Sequence, residues 1–240
     1  MMDLDCIDER NNCSSSAIDM NSNAILQLLE GEQEEAISLF HAALNTSRAQ
    51  LQAAGPRLRE SLSQNYEAMI CPVSLEDAMY TPSVTTVAPC DTFCIYRSVF
   101  SIEGPDCEED ALAPEVTAVI LYNMAVVHHE LGYDTSDKVC LDKALQLYNI
   151  CRSVLSQTKQ AKQSKLSIDL TLLDLALLNN MGQIYSILLN HEQSLLLQQS
   201  LLAMIEELNF IEQAQEDEVF DFFRSCALRS HRFPGPAPAA

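Results

Sequence analysis

The chain has 240 residues, 48% of them apolar, and carries 34 acidic against 14 basic side chains for a net charge of −20. That apolar share supports a packed core of one substantial domain and argues against wholesale disorder, while only six glycines speak against a turn-rich all-β fold. The charge disfavours nucleic acid and anionic membrane as partners, because both would need cations on this surface; it favours a protein partner with basic patches.

Residues 1–15 are polar and acidic, with four acids and no apolar run before Asn12. They are expected to be disordered, with no secretory leader. A single domain is expected over 16–230. A first helix runs from about Ala17 to Glu30, and Gly31 breaks it. A second runs from about Gln33 to Ala54 with Ala36, Phe40, Ala43 or Leu44, and Leu51 on one face, ended by Gly55-Pro56. Residues 57–113 differ. Pro72, Pro82, Pro89 and Pro105 interrupt any long helix, and Ser83 to Ala88 and Thr92 to Ile102 are β-prone, with Pro89-Cys90-Asp91 as a turn. A β-hairpin is expected there, followed by an acidic loop from Glu103 to Asp110.

Pro114 opens the next helix, since its missing N–H is harmless in a first turn. That helix is expected to break at Gly132, with Thr135 or Ser136 capping its partner. Cys140, Ala144, Leu147, Cys151 and Leu155 then form one apolar stripe; the two cysteines read as reduced, buried small hydrophobes. Gln157 to Lys165 reads as a linker. Leu166 to Leu189 is apolar nearly all round but contains Asp169, Asp174, Asn179 and Asn180, so it reads as a central helix, not a membrane span. The expected address is the cytoplasm, with the nucleus as the alternative. His191 to about Gln213 follows, with Leu195, Leu202, Ile205 and Leu208 as its stripe. Residues 219–228 fit either a strand, from alternating Phe220 and Phe222, or a short capping helix. The tail 231–240 is expected to be disordered.

One pattern recurs three times: a small residue, a helix break, and another small residue. It reads Ala24, Gly31, Ala36; then Ala125, Gly132, Ala144; then Gly182, Leu189, Ser194. Paired helices cross closely only where a side chain is small. Phe40 and Tyr148 lie four residues beyond Ala36 and Ala144, and Tyr185 three beyond Gly182. The pattern resembles the tetratricopeptide repeat, with Gln27 and His128 at the aromatic place and the family's tryptophan and closing proline absent. The copies stand 101 and 57 residues apart, unlike the regular spacing of that family. Repeat 1 is placed at about 16–54, repeat 2 at about 115–157 and repeat 3 at about 166–213.

The resemblance implies an all-α solenoid of about three antiparallel helix pairs with a small β-hairpin insert. Its first helices would line a concave groove for a peptide or partner helix. By position the groove residues are Asn21, Tyr122, Asn123, His129, Asn179, Gln183 and Ser186. An amide side chain both donates to and accepts from a peptide backbone; the competing reading is that these amides merely satisfy interhelical hydrogen bonds. Some members grip a terminal carboxylate with cations. Here Asn123 fits one such place, but Asn21, Ala176 and Asn180 stand at the basic ones, so chaperone tails are not expected to bind.

No enzymatic activity, cofactor or metal is expected. Cys226 and Arg232 match the bare Cys-x5-Arg spacing of cysteine phosphatases without a glycine in the loop. Cys71, Cys90, Cys94 and Cys107 lack paired zinc spacing. His128-His129-Glu130 lacks a second histidine at i+4. Glu34-Glu35, Glu109-Asp110 and Glu206-Glu207 read as solvated charge. The expected function is a protein-interaction adaptor or scaffold. The alternative is a self-associating structural protein, and a hydrolase using Cys226 is a distant third.

Overall fold

In the computed structural model the described residues are 16–53, 69–75, 93–103, 114–162, 168–209 and 218–229. The chain order is α1 (Ala17–Leu29), α2 (Gln33–Ala53), β1 (Met69–Ser74), β2 (Ser98–Glu103), α3 (Pro114–Thr135), α4 (Lys138–Lys162), α5 (Ile168–Ile187), α6 (His191–Asn209) and α7 (Glu218–Arg229). The expected terminal disorder, the strand at 83–88, its turn and most of the acidic loop lie outside the described residues.

Three helix pairs follow one another: α1 with α2, α3 with α4, α5 with α6. Each pair also touches the next, through α2 with α3 and α4 with α5. Local chemistry sets the ends. Ser16 caps α1: its hydroxyl accepts from the Asp19 N–H at 3.1 Å while the Asp19 carboxylate accepts from the Ser16 N–H at 3.0 Å, a reciprocal capping box. Gly31, at φ 86, ends α1. Its N–H donates to the Leu28 carbonyl and the Glu32 N–H donates to that of Gln27, the paired closure of a Schellman turn. The α5–α6 turn repeats this geometry around Leu189 at φ 58, with Asn190 N–H donating to Tyr185. The break expected at Leu189 is therefore present without a glycine.

The break expected at Gly132 is not. α3 continues one more turn to Thr135, and Ser136, at φ 56, makes the reversal. Gly132 serves packing: a Cβ there would lie 2.8 Å from both the side chain and the backbone nitrogen of Leu141 on α4. The cap of α4 is likewise neither Thr135 nor Ser136 but Asp137, whose carboxylate accepts from the Val139 N–H at 2.9 Å. α4 also runs on through the expected linker to Lys162.

The small residues sit inside, as close helix packing requires. Ala24, Ala36, Ala125 and Ala144 are fully buried, as are Phe40 and Tyr148. Tyr185 is half-buried. The Ser194 hydroxyl donates to the Gly182 carbonyl at 3.5 Å, so the third pair meets where the repeat pattern placed it. α3 and α5 are buried on nearly every side, because α3 touches α1, α2, α4, α5 and β2, and α5 touches α3, α4, α6, α7 and β1. On α4, Cys151 is buried, whereas Cys140 is half-exposed, at the edge of the stripe.

Two expectations about faces and strands change. The buried stripe of α6 is Ser194, Leu197, Gln198, Leu201 and Ile205, and Leu195 is exposed. Residues 218–229 form a helix, so the strand alternative fails. Phe223, not Phe222, joins Phe220 in the core, and the Gln198 amide donates to the Ala227 carbonyl at 3.1 Å, tying α6 to α7. Among the described residues the sheet has two antiparallel strands, and the partner of the second strand is Met69–Ser74, with Phe100 opposite Pro72.

Candidate functional site

Residues 93–103 run extended across α1, α3 and α5, and their two backbone edges meet different partners. In an extended chain, successive residues direct their N–H and C=O groups to opposite edges. The odd-numbered edge faces β1: the Leu75 N–H donates to the Arg97 carbonyl at 2.9 Å, and the strand pairing continues through Glu103. Pro72 fits because it lies opposite Phe100, whose own N–H and C=O point the other way, so its missing donor breaks no bond.

The even-numbered edge is read by asparagines. The Phe100 N–H donates to Asn123 Oδ1 at 2.7 Å, and Asn123 Nδ2 donates to the Phe100 carbonyl at 2.8 Å. Its second hydrogen goes to Asn21 Oδ1 at 2.9 Å, and Asn21 Nδ2 donates to the same Phe100 carbonyl at 3.3 Å. Four residues earlier Asn180 repeats the clamp. The Tyr96 N–H donates to Asn180 Oδ1 at 2.8 Å, and Asn180 Nδ2 donates to the Tyr96 carbonyl at 3.2 Å. Asn179 Nδ2 donates to the Cys94 carbonyl at 2.7 Å. These amides stand where a third strand would, and a buried peptide edge left without them would cost several kcal/mol, about 1–3 for each orphaned group.

Side chains fix the register. Phe93 is 1% exposed and lies over Gly182, where a Cβ would come within 2.5 Å of the ring. Tyr96 packs on Phe223 and Phe222 of α7, at centroid distances of 4.8 and 5.4 Å. Phe100 meets the ring of Tyr122 edge-on at 5.1 Å. Asn180 Nδ2 also lies 3.2 Å from the hydroxyls of Tyr122 and Tyr148, and burial raises both phenols well above their usual pKa.

Charge enters once. Arg97 Nε lies 3.0 Å from Glu130 Oε1, and the Glu130 side chain is 1% exposed. Burial pushes Glu130 up to about 7, partly offset by Arg97. Burial lowers His129 to about 3, and its Nδ1 faces the Tyr148 hydroxyl at 3.4 Å. His128 is lowered to about 4, again chiefly by burial. Both histidines are neutral at pH 7. Among the described residues, neither ring nitrogen of His128 has a hydrogen-bond partner.

Of the expected groove residues, Asn21, Asn123 and Asn179 bond the segment directly, Tyr122 packs on Phe100, and His129 and Gln183 are buried nearby. Ser186 is half-buried, one turn beyond Gly182. Asn180 was missed as a groove residue, although it makes the fuller clamp of the α5 pair. Its signal was the tandem Asn179-Asn180 in an otherwise apolar helix.

Other constellations find structural places. Cys226 is buried within α7 and not in a phosphate-cradling loop, and Arg232 lies outside the described residues. His128-His129-Glu130 is buried on α3. Among the described residues there is no cluster of three or more metal-ligating side chains, and no helix is long and apolar enough to cross a membrane. Glu34, Glu35, Glu206 and Glu207 are exposed. No family model matches the chain, and comparison with curated proteins and with solved structures finds no match.

Two stability outcomes follow from this geometry. Gly182→Ala should lower stability by about 2 kcal/mol even though alanine gains about 1 kcal/mol in helix propensity. A smaller loss when Phe93→Leu is already present, read by denaturant unfolding, would identify the ring as the cause. His128→Phe should raise stability by about 1–3 kcal/mol, because it removes two unpartnered buried nitrogens. An unchanged or lower midpoint would show that the two nitrogens carry no such cost.

Proposed function

We propose that this chain is a non-enzymatic protein-interaction module whose groove, formed by α1, α3 and α5, recognises an extended peptide backbone through asparagine side chains. The observation that carries this reading is the repeated clamp. Asn123 and Asn180 each engage both the N–H and the C=O of one residue, four residues apart on the same extended segment. Such bonds depend on backbone conformation and not on side-chain identity, so flanking pockets supply selectivity. The succession of three helix pairs, with a small-residue pattern that resembles the tetratricopeptide repeat, supports the same reading.

In the free chain the seat is held by its own residues 93–103. Phe93, Tyr96, Val99, Phe100 and Ile102 are at most 6% exposed. Their burial amounts to on the order of 10 kcal/mol, comparable with the net stability of a whole domain. An incoming peptide therefore competes with a tightly seated rival, and its apparent affinity is reduced by the small fraction of open groove. A partner must bring an equivalent segment or loosen the resident one.

The test is peptide display against the full chain and against an Arg97→Ala chain, whose segment is held less firmly. Extended peptides should be enriched, more on the loosened chain, and Asn123→Ala should abolish their binding. Acidic carboxylate-ended tails should not bind, since Asn21, Ala176 and Asn180 supply no cation. Failure of both chains to enrich any Asn123-dependent peptide would defeat this function.

A further inference from the structure

The resident segment also describes the side chains that the groove accepts. Resting on the peptide-reading function above, we propose that the external ligand is a protein segment of the form aromatic-x-x-aromatic-Arg-x-x-aromatic, copying Phe93, Tyr96, Arg97 and Phe100. Each place has its own physical cause. At the first, Gly182 leaves room for a ring that any side chain would displace. At the second, Phe222 and Phe223 form an aromatic wall. At the fourth, Tyr122 packs against an aromatic ring in a T-shaped contact.

The third place is the most selective. Glu130 is buried and faces Arg97, and a ligand lacking a cation there would leave that carboxylate with an empty partner position. A buried charge pair loses far more on truncation than an exposed one. Arginine suits the position better than lysine because its guanidinium is more weakly hydrated and enters a buried ion pair more readily. A basic ligand is also drawn to a chain of net charge −20. The two clamps set the spacing, since positions 96 and 100 lie on the same backbone edge of an extended chain.

At pH 8, where Glu130 is ionised, the experiment titrates full-length chain carrying Arg97→Ala with a labelled peptide copying residues 93–103, with Cys94→Ser to prevent oxidation. Anisotropy and thermal shift are both read. Saturable binding and a raised Tm are expected. A peptide with alanine at the arginine place should bind roughly thirtyfold weaker or worse, and a scrambled peptide should not bind. If Arg97→Ala does not fold, Phe93→Ala provides the loosened chain. Equal binding of the arginine and alanine peptides, or of the scrambled one, overturns the proposal. So does a concentration-dependent dimer in which cross-linking shows the segment exchanged between copies, which makes a second copy the occupant. Display that yields Asn123-dependent peptides of another pattern overturns this inference alone; absence of any peptide binding overturns the groove reading as well.

Discussion

Arg97→Ala should destabilise the protein by about 3–5 kcal/mol at pH 8 and by much less at pH 5, because it leaves Glu130 as a lone buried carboxylate. The pH dependence follows from the raised pKa. Glu130 titrates at about 7 in the fold against an ordinary 4.5. The folded state therefore holds this proton more tightly, and the associated stability is fully present below pH 4.5 and is lost as pH rises through 7. Removing Arg97 withdraws the charge that partly offsets burial, so the loss is greatest where Glu130 is ionised. Glu130→Gln should show the opposite trend. Its stability relative to the natural chain should climb between pH 4.5 and 7, by about 1.4 kcal/mol per pH unit at most.

The neighbouring histidines slope the other way. His129 and His128 titrate at about 3 and 4 against an ordinary 6.5. Their stabilisation is present above 6.5 and is lost as pH falls. Between pH 4.5 and 6.5 two histidines oppose one glutamate, so the natural chain should gain stability as pH rises, then lose a little from 6.5 to 7. Urea midpoints across pH 4–8 read all of this. A loss in Arg97→Ala that does not vary with pH would exclude Glu130 as the relevant partner.

Asn180→Ala should be nearly as damaging, with a loss of about 3–5 kcal/mol and a Tm lower by roughly 10 °C. The substitution strips partners from the Tyr96 N–H and C=O at once and removes the donor shared with the Tyr122 and Tyr148 hydroxyls. Asn180→Asp separates the contributions. A carboxylate still accepts the Tyr96 N–H, and the phenols can turn to donate, but it faces the Tyr96 carbonyl with a second acceptor. It should therefore fall between alanine and the natural residue. Hydrogen exchange at the Tyr96 amide, fast in Asn180→Ala and slow in Asn180→Asp, gives the direct readout. Slow exchange in both would mean that the amide is protected by something other than Asn180.

Much of the helical order was legible in the chain. Pro114 opens one helix, Gly31 closes the first, and Ala24, Ala36, Ala125 and Ala144 mark positions that only small side chains fill. Gly132 misled because a glycine inside a helix and a glycine ending one look alike in sequence. The nearness of Leu141, across the pair, makes the difference. Leu195 misled for a related reason: several leucines crowd α6, so its apolar positions do not define one face until α5 and α7 are packed against it.

The extended stretch beginning near residue 92 was visible as a β-prone run, but its β partner was not. Met69–Ser74 contains Pro72, which counts against a strand unless its N–H side needs no bond, and only the register opposite Phe100 removes that need. The buried asparagines were visible as polar residues on apolar helices, and the tetratricopeptide resemblance implied that Asn21, Asn123 and Asn179 share one face of the first helices. What they read could not follow, because Asn123 and Asn180 bond residues 23 and 84 positions away along the chain.

By itself, then, the sequence determined the helix pairs and the small-residue contacts within them, because capping, turn conformation and side-chain volume act over a few residues. Only the tertiary structure decided that the amide-lined groove is filled by the chain's own residues 93–103, that Arg97 answers Glu130, and that Gly182 makes room for Phe93 rather than solely for a neighbouring helix. Those are contacts between distant segments, whose energy depends on burial and register that no local pattern specifies.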